Sequence, residues 1–254
     1  MKIITKRINS IAKKFGYRFV KIEKYNLKEN FAEVTNFEKK ILNNAAKFSM
    51  TGFDRMFFLI KAMEFIKNNN VKGDFVECGV WRGGNLILFQ KMMEKLRIKR
   101  KIFAYDTFEG MTEPTSHDVM LIANKANAKN IWDKNPNKII KLAECSVDQV
   151  KENYRKNTKK NKNLICIKGP VEKTLKIKKN LPNKISILRL DTDWYESTKI
   201  ELELLFPRLE KNGILIIDDY GVWQGAKKAT DTYFKNKKKT MFKIDITGRF
   251  IIKK

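Results

Sequence analysis

Two apolar runs in the second half of the sequence end in paired acids. Ile185-Ser186-Ile187-Leu188-Arg189-Leu190 leads into Asp191-Thr192-Asp193, and Gly213-Ile214-Leu215-Ile216-Ile217 leads into Asp218-Asp219-Tyr220. Short β-branched runs bounded by Gly, Asn or Pro predict buried strands. In open α/β sheets, ligands bind beyond the carboxyl ends of such strands. Two adjacent strands of this kind would gather Asp191, Asp218 and Asp219 in one crevice. Bare carboxylates repel one another, and the usual remedies are a raised pKa or a hard cation with oxygen ligands. These three acids are therefore the expected metal set. Magnesium is the expected ion and manganese the alternative, because the motifs offer only hard oxygens. Asp191 could be ligand, general base or both, although ligation lowers its basicity. Asp193 points the same way along an extended chain. It is the alternative base, unless it caps the helix that follows.

A second constellation lies upstream. The run Phe75-Val76-Glu77-Cys78 enters Gly79-Val80-Trp81-Arg82-Gly83-Gly84-Asn85, which is a strand, a glycine turn and a helix start. Glycines there permit positive φ and close approach of backbone to a cofactor. The spacing is E-x-G-x-x-x-G-G, so it does not specify a dinucleotide. Asp106 ends the next apolar run, Ile102-Phe103-Ala104-Tyr105. At that position an acid can accept both hydroxyls of an adenosine ribose. Its simpler role is that of a turn or capping residue.

The elements that would hold these residues alternate. Helices are expected over 37–48, 54–67, 85–96, 147–154, 197–209 and 224–234, and a further strand over 164–169. Segments 241–246 and 249–252 flank Thr247-Gly248 as a hairpin. Alternation of this kind predicts a doubly wound, mostly parallel α/β sheet with a C-terminal antiparallel hairpin. The polar stretch 107–137 is too long for an ordinary connection and reads as an active-site lid or insertion. Residues 1–15 read as a basic amphipathic helix, with Ile4, Ile8, Ile11 and Phe15 on one stripe. Such a helix packs on its own domain or on a partner subunit, or lies on an anionic membrane surface. The expected division is an N-terminal helical extension over 1–35 and one catalytic domain over 36–254.

Composition bounds the partners. The chain has 254 residues, is 43% hydrophobic and carries a formal charge of +26. Such a charge raises nucleic acid or an anionic membrane as a partner. Of the 54 basic residues 44 are lysine, however, and arginine is the preferred fork for phosphate. Lysine spread over solvated faces is the favoured reading, with no nucleic-acid partner. Cys78, Cys145 and Cys166 show no C-x-x-C spacing, so neither a disulfide framework nor a zinc site is expected. A cytoplasmic protein fits, with peripheral membrane contact through the N-terminal helix as an option. A homo-oligomer is also expected.

Four ordered stretches resemble one family. They are Gly73-Asp74-Phe75-Val76-Glu77-Cys78-Gly79-Val80-Trp81-Arg82-Gly83-Gly84, Tyr105-Asp106-Thr107-Phe108-Glu109-Gly110-Met111, Leu188 to Thr198, and Ile217-Asp218-Asp219-Tyr220-Gly221. From about Met50 onward the chain resembles the macrocin O-methyltransferase-like family of metal-dependent sugar O-methyltransferases. The resemblance implies the class I Rossmann-like methyltransferase fold, S-adenosylmethionine, a magnesium ion and a sugar hydroxyl acceptor. It implies that Glu77, Gly79, Gly83, Asp106, Thr107 and Phe108 serve the cofactor, and that Met50 lines the reaction centre. Ser146 and Gly169 would lie near the adenine. Asp191, Asp218 and Asp219 match the metal ligands. The 107–137 segment departs from what characterised antibiotic-tailoring members lead one to expect, which leaves the acceptor open among glycans, polysaccharides and natural products.

The chemistry suits the residues. A sugar hydroxyl is a weak nucleophile, which a metal can position and acidify and a carboxylate can deprotonate. A metal-dependent phosphoesterase is the enzymatic alternative, and a basic nucleic-acid-binding protein the non-enzymatic one. His117, the single histidine, reads as a solvated loop residue. Trp194, Tyr195 and Trp223 read equally as sugar-stacking or packing residues. Arg82 and Arg189 read as neutralisers of buried acids.

Overall fold

The computed structural model describes residues 32–122, 126–160 and 162–254. The expected helix over 1–15 lies outside the described residues. The chain divides into two compact units, 1–39 and 40–254. Within the first, Thr35 and Glu38 form a capping box: the Glu38 carboxylate accepts from the Thr35 N–H and hydroxyl, both at 2.7 Å. It opens helix α1 (Asn36–Ala45).

The second unit carries a seven-stranded sheet. Its strands are β1 (Asp74–Cys78), β2 (Ile102–Asp106), β3 (Leu164–Lys168), β4 (Ile185–Leu190), β5 (Leu209–Ile217), β6 (Met241–Lys243) and β7 (Arg249–Ile252). Their spatial order is β3-β2-β1-β4-β5-β7-β6. The first five are parallel, and β7 is antiparallel to both β5 and β6. The order reverses between β1 and β4, which is the switch point where this fold class binds ligands. All six residues of β4 are buried, as a central strand covered on both faces requires.

Register places the chemistry. Cys78 is level with Leu190, and Leu190 with Ile217. The next residues, Gly79, Asp191 and Asp218, therefore leave the sheet together. Backbone bonds continue the ladder one step past the strand ends: Asp191 N–H to Cys78 O and Asp218 N–H to Leu190 O, each 2.9 Å.

The helices that matter for the site are α2 (Phe53–Asn68), α3 (Gly84–Leu96), α6 (Val147–Thr158), α8 (Tyr195–Leu204) and α9 (Gln224–Tyr233). The expected helix over 197–209 begins two residues earlier and gives way to a 3-10 turn over Phe206–Arg208, where Pro207 prevents continuation. The C-terminal hairpin forms, but its connection is five residues long. Lys243 pairs with Arg249, and the Asp245 carboxylate accepts from the N–H groups of Thr247 and Gly248 at 2.9 and 2.6 Å. A side chain, rather than a two-residue turn about Thr247-Gly248, closes the loop.

The 107–137 segment is more structured than its polarity predicts. It contains α4 (Ala128–Lys134) and starts α5 (Pro136–Ile140), between which Asn135 acts as cap. Short bridges join Val119 to Asn127 and Met120 to Trp223. Ala128 and Ile139 share a small core with Trp194. The short α7 (Val171–Thr174) follows β3. No helix among the described residues is long and apolar enough to cross a membrane.

Candidate active site

A crevice opens at the carboxyl edge of the sheet. Gly79, Asp106 and Gly169 line it from the β1, β2 and β3 ends, and Asp191, Asp193, Asp218 and Asp219 from the β4 and β5 ends. Met50, Thr51 and Arg55 close it beside α2, and Thr107 and Met111 belong to its outer wall.

The glycine turn is held by Asp106. One carboxylate oxygen accepts from the N–H groups of Val80 and Trp81 at 2.7 and 3.1 Å, and the other from Phe108 at 2.7 Å. Burial raises the Asp106 pKa, and these three backbone donors oppose the rise. Its first role is thus to fix the turn that faces the crevice. Gly79 adopts φ +79°, and a Cβ there would stand 1.9 Å from the backbone oxygen of Asp191. No other residue fits, so the cofactor-type turn and the acidic strand end touch through backbone. Trp81, Phe108 and Asp193 also have positive φ, at 46°, 56° and 65°. Left-handed non-glycine residues clustered at one crevice mark backbone held for function at a cost of about 1–3 kcal/mol each.

The acids form a network around Arg189, which is 2% exposed. One guanidinium nitrogen donates to Glu77 at 2.6 Å and Asp191 at 2.7 Å, and another to Asp218 at 2.5 Å and the Thr51 hydroxyl at 2.8 Å. Arg55 from α2 pairs with the second oxygen of Asp218 and lies 3.0 Å from Asp245. Burial pushes Glu77 up to about 7, against the pull of Arg189 and Asn85. Asp193 and Asp219 have no such cation. Burial and the neighbouring Asp191 push Asp193 up to about 6. Burial, then Asp193 and Asp191, hold Asp219 well above the carboxylate range. Burial and mutual repulsion thus disfavour a second negative charge on this pair.

Five acids (Glu77, Asp191, Asp193, Asp218 and Asp219) thus face two guanidinia, one of them shared with Asp245. One oxygen from each of Asp191, Asp218 and Asp219 lies within 4.8 Å of the others. An all-carboxylate set with excess negative charge fits a hard divalent cation.

The remaining expected residues fall in two groups. Met50, Gly79, Asp106, Thr107 and Gly169 line the crevice with the acids. Glu77, Gly83, Phe108 and Ser146 do not. Glu77 is buried beneath Arg189. Gly83 is the left-handed N-cap of α3. Phe108 is buried, and its N–H holds Asp106. Ser146 caps α6 by accepting from the Gln149 N–H.

Arg82 departs from its expected role: it is exposed and stacks over Trp81, away from the buried acids. Trp194 and Trp223 pack edge to face at 4.9 Å outside the crevice lining, and the Trp194 indole N–H donates to Thr112 O. His117 meets Tyr195 edge-on at 4.7 Å, likewise outside the lining. Asp193 does not cap α8. That task falls to the fully buried Asp118, whose carboxylate accepts from Tyr195 N–H at 2.8 Å and from Thr115 N–H at 2.6 Å.

Arg55, Asp118 and Glu201 are the residues that sequence reading missed. Arg55 carried a signal, as a cation in the first turn of an apolar helix just after Met50. Glu201 is buried on α8, where one oxygen accepts from Thr192 and burial holds the acid well above its ordinary pKa. Burial likewise raises the thiol of Cys78, so it is no nucleophile.

Comparison with known proteins agrees with this geometry. The family model for Macrocin-O-methyltransferase (TylF) matches residues 11–253, so the likeness starts well before Met50. Demethyldecarbamoylnovobiocin O-methyltransferase of Streptomyces niveus is 28% identical over 73% of this chain and 67% of its own length. The 8-demethyl-8-(2,3-dimethoxy-alpha-L-rhamnosyl)-tetracenomycin-C 4'-O-methyltransferase of Streptomyces olivaceus is 31% identical over 68% of this chain and 63% of its own length. The solved structure of the O-methyltransferase NovP superposes with a TM-score of 0.69 at 26% identity, covering 81% of this chain and 82% of that one. The phosphoesterase alternative gives way, and the chain belongs to the macrocin O-methyltransferase family as an S-adenosylmethionine-dependent O-methyltransferase on the class I fold.

Proposed function

We propose that this enzyme methylates a sugar hydroxyl in a glycan or glycosylated natural product, with a divalent cation at the acidic cluster. One observation carries the reading: the glycine turn and the acid cluster share a crevice and touch at Gly79 and Asp191. The two reaction partners would meet where the two halves of the sheet diverge. The relatives' names add support, since one refers to the 4'-O position of a rhamnosyl group.

Gly79, Asp106 and Gly169 would receive the methyl donor. Close backbone approach at Gly79 lets the cofactor lie flat on the strand ends. Asp191, Asp218 and Asp219 would hold magnesium or manganese, with Arg55 yielding its oxygen of Asp218. When bound, the cation supplies charge stabilisation for a hydroxyl losing its proton. Asp193 would accept that proton: it lines the crevice beside the acid cluster, and burial makes it a stronger base than an exposed carboxylate. Asp191 is the alternative base, although one of its oxygens is engaged by Arg189. The wall around Thr107 and Met111 would exclude water and grip the acceptor.

The test is methyl transfer from radiolabelled S-adenosylmethionine to a panel of rhamnosides and related glycosides. Turnover that needs magnesium, together with an Asp193→Asn variant that binds S-adenosylhomocysteine normally but turns over at least 100-fold more slowly, is expected. Transfer to catechols or other non-sugar hydroxyls alone would overturn the sugar assignment, and full turnover in chelator would overturn the metal.

A further inference from the structure

The charges of the catalytic unit are sorted by the direction of the strands. Loops that directly follow a strand at the carboxyl edge contain, among the described residues, eight acids and one cation, Arg82. The segments that enter strands at the opposite edge, with the two residues after β7, contain sixteen Lys or Arg and no acid; of 175–184 only Lys184 is counted, because 175–180 stay bonded around Thr174, beside Gly169. Random lysine enrichment would populate both edges alike. Arg97–Lys101 contributes four of these cations before β2, Lys159, Lys160 and Lys162 three before β3, and 234–240 four before β6. Among the described residues one of the sixteen, Lys184, has a carboxylate partner, Glu210 at 3.0 Å.

We infer that this amino edge is a docking surface for an anionic lipid bilayer. Its shape is the first reason. The cations lie along the whole edge from β3 to β6, with six inter-strand gaps of about 4.8 Å, hence roughly 29 Å across. That spread matches a plane better than a duplex groove. Its chemistry is the second. Lysine dominates, and juxtamembrane lysines are attracted to anionic lipid surfaces within a Debye length. Aromatic rings that could stack on bases are taken at this edge: Lys237 lies 3.3 Å from the Tyr233 ring centre, and Lys239 and Lys253 lie over Phe234 and Phe206. The crevice sits at the other end of the same strands. A bound enzyme therefore keeps its mouth turned toward the aqueous phase.

The test is sedimentation of the full chain with vesicles. Binding is expected to vesicles of 70% phosphatidylcholine and 30% phosphatidylglycerol, and not to pure phosphatidylcholine, and to vanish in 500 mM salt. The triple variant Lys99→Glu, Lys160→Glu, Lys162→Glu, at exposed positions just before β2 and β3, should bind at least 10-fold more weakly. It should retain wild-type circular dichroism and S-adenosylhomocysteine affinity, since none of the three lines the crevice. A folded triple variant that binds as well as the wild type would assign the contact elsewhere, to the N-terminal residues for instance, and overturn the inference. Equal binding to neutral vesicles would overturn it too, as would tight salt-sensitive binding to a 20-base-pair duplex without vesicle binding.

Discussion

A guanidinium nitrogen of Arg189 lies 2.5 Å from one carboxylate oxygen of Asp218, deep in the sheet. This contact divides the acids of the crevice. Glu77, Asp191 and Asp218 are tied to Arg189 by ion pairs, whereas Asp193 and Asp219 make none with it, and burial and mutual repulsion raise both of their pKa values.

Arg189→Met removes the cation common to three strand ends. Breaking a buried ion pair by deleting one partner costs about 3–5 kcal/mol. Urea unfolding should show a loss of that size, and Arg189→Lys should recover less than half, because an ammonium cannot span three carboxylates as a planar fork does. A loss below about 1 kcal/mol would show that solvent already screens the network.

Gly79→Ala should damage both stability and cofactor binding. The added Cβ meets backbone, not a movable side chain, and φ is +79°. Strain of this kind costs at least about 1–3 kcal/mol. A variant with wild-type melting temperature and S-adenosylhomocysteine affinity would mean that the turn and the β4 end separate easily.

The pH dependence of stability has a defined sign. Asp193 and Glu77 hold protons up to about 6 and about 7 in the folded chain, whereas unfolded carboxylates release them near 4. The folded protein therefore binds more protons across this window, and its stability falls as pH rises from about 4 to 7. In chelator, Asp193→Asn should flatten that fall by roughly 2 kcal/mol. Parallel curves for variant and wild type would show that Asp193 ionises normally.

Magnesium should displace the proton that burial favours on Asp219. Metal binding to protonated ligands releases protons. Titration calorimetry at pH 6.5 should give an enthalpy that varies with the ionisation enthalpy of the buffer, and Asp219→Asn should remove the variation. Enthalpies equal in all buffers would place the ion elsewhere.

Much of this was legible in the sequence because it is local. Strand ends announce themselves by apolar runs that stop at Asp or Gly, and parallel pairing then brings Gly79, Asp106, Asp191 and Asp218 to one edge. What stayed hidden depends on pairs far apart in the chain. Asp118 reaches Tyr195 across 77 residues, and Arg55 reaches Asp218 across 163. No periodicity encodes such pairs, and a buried Asp in a polar segment looks like any loop acid. The sorting of lysines was likewise invisible until strand directions assigned each loop to an edge.

Asp118 ties the outer wall to the catalytic turn. It belongs to the 107–137 segment and caps the helix that begins two residues after Asp193. That segment and the acid-bearing turn before α8 are consequently not structurally independent. A loop transplanted from a relative to change the sugar would also remove the anchor of α8 unless it carried Asp118 and Thr115 with it.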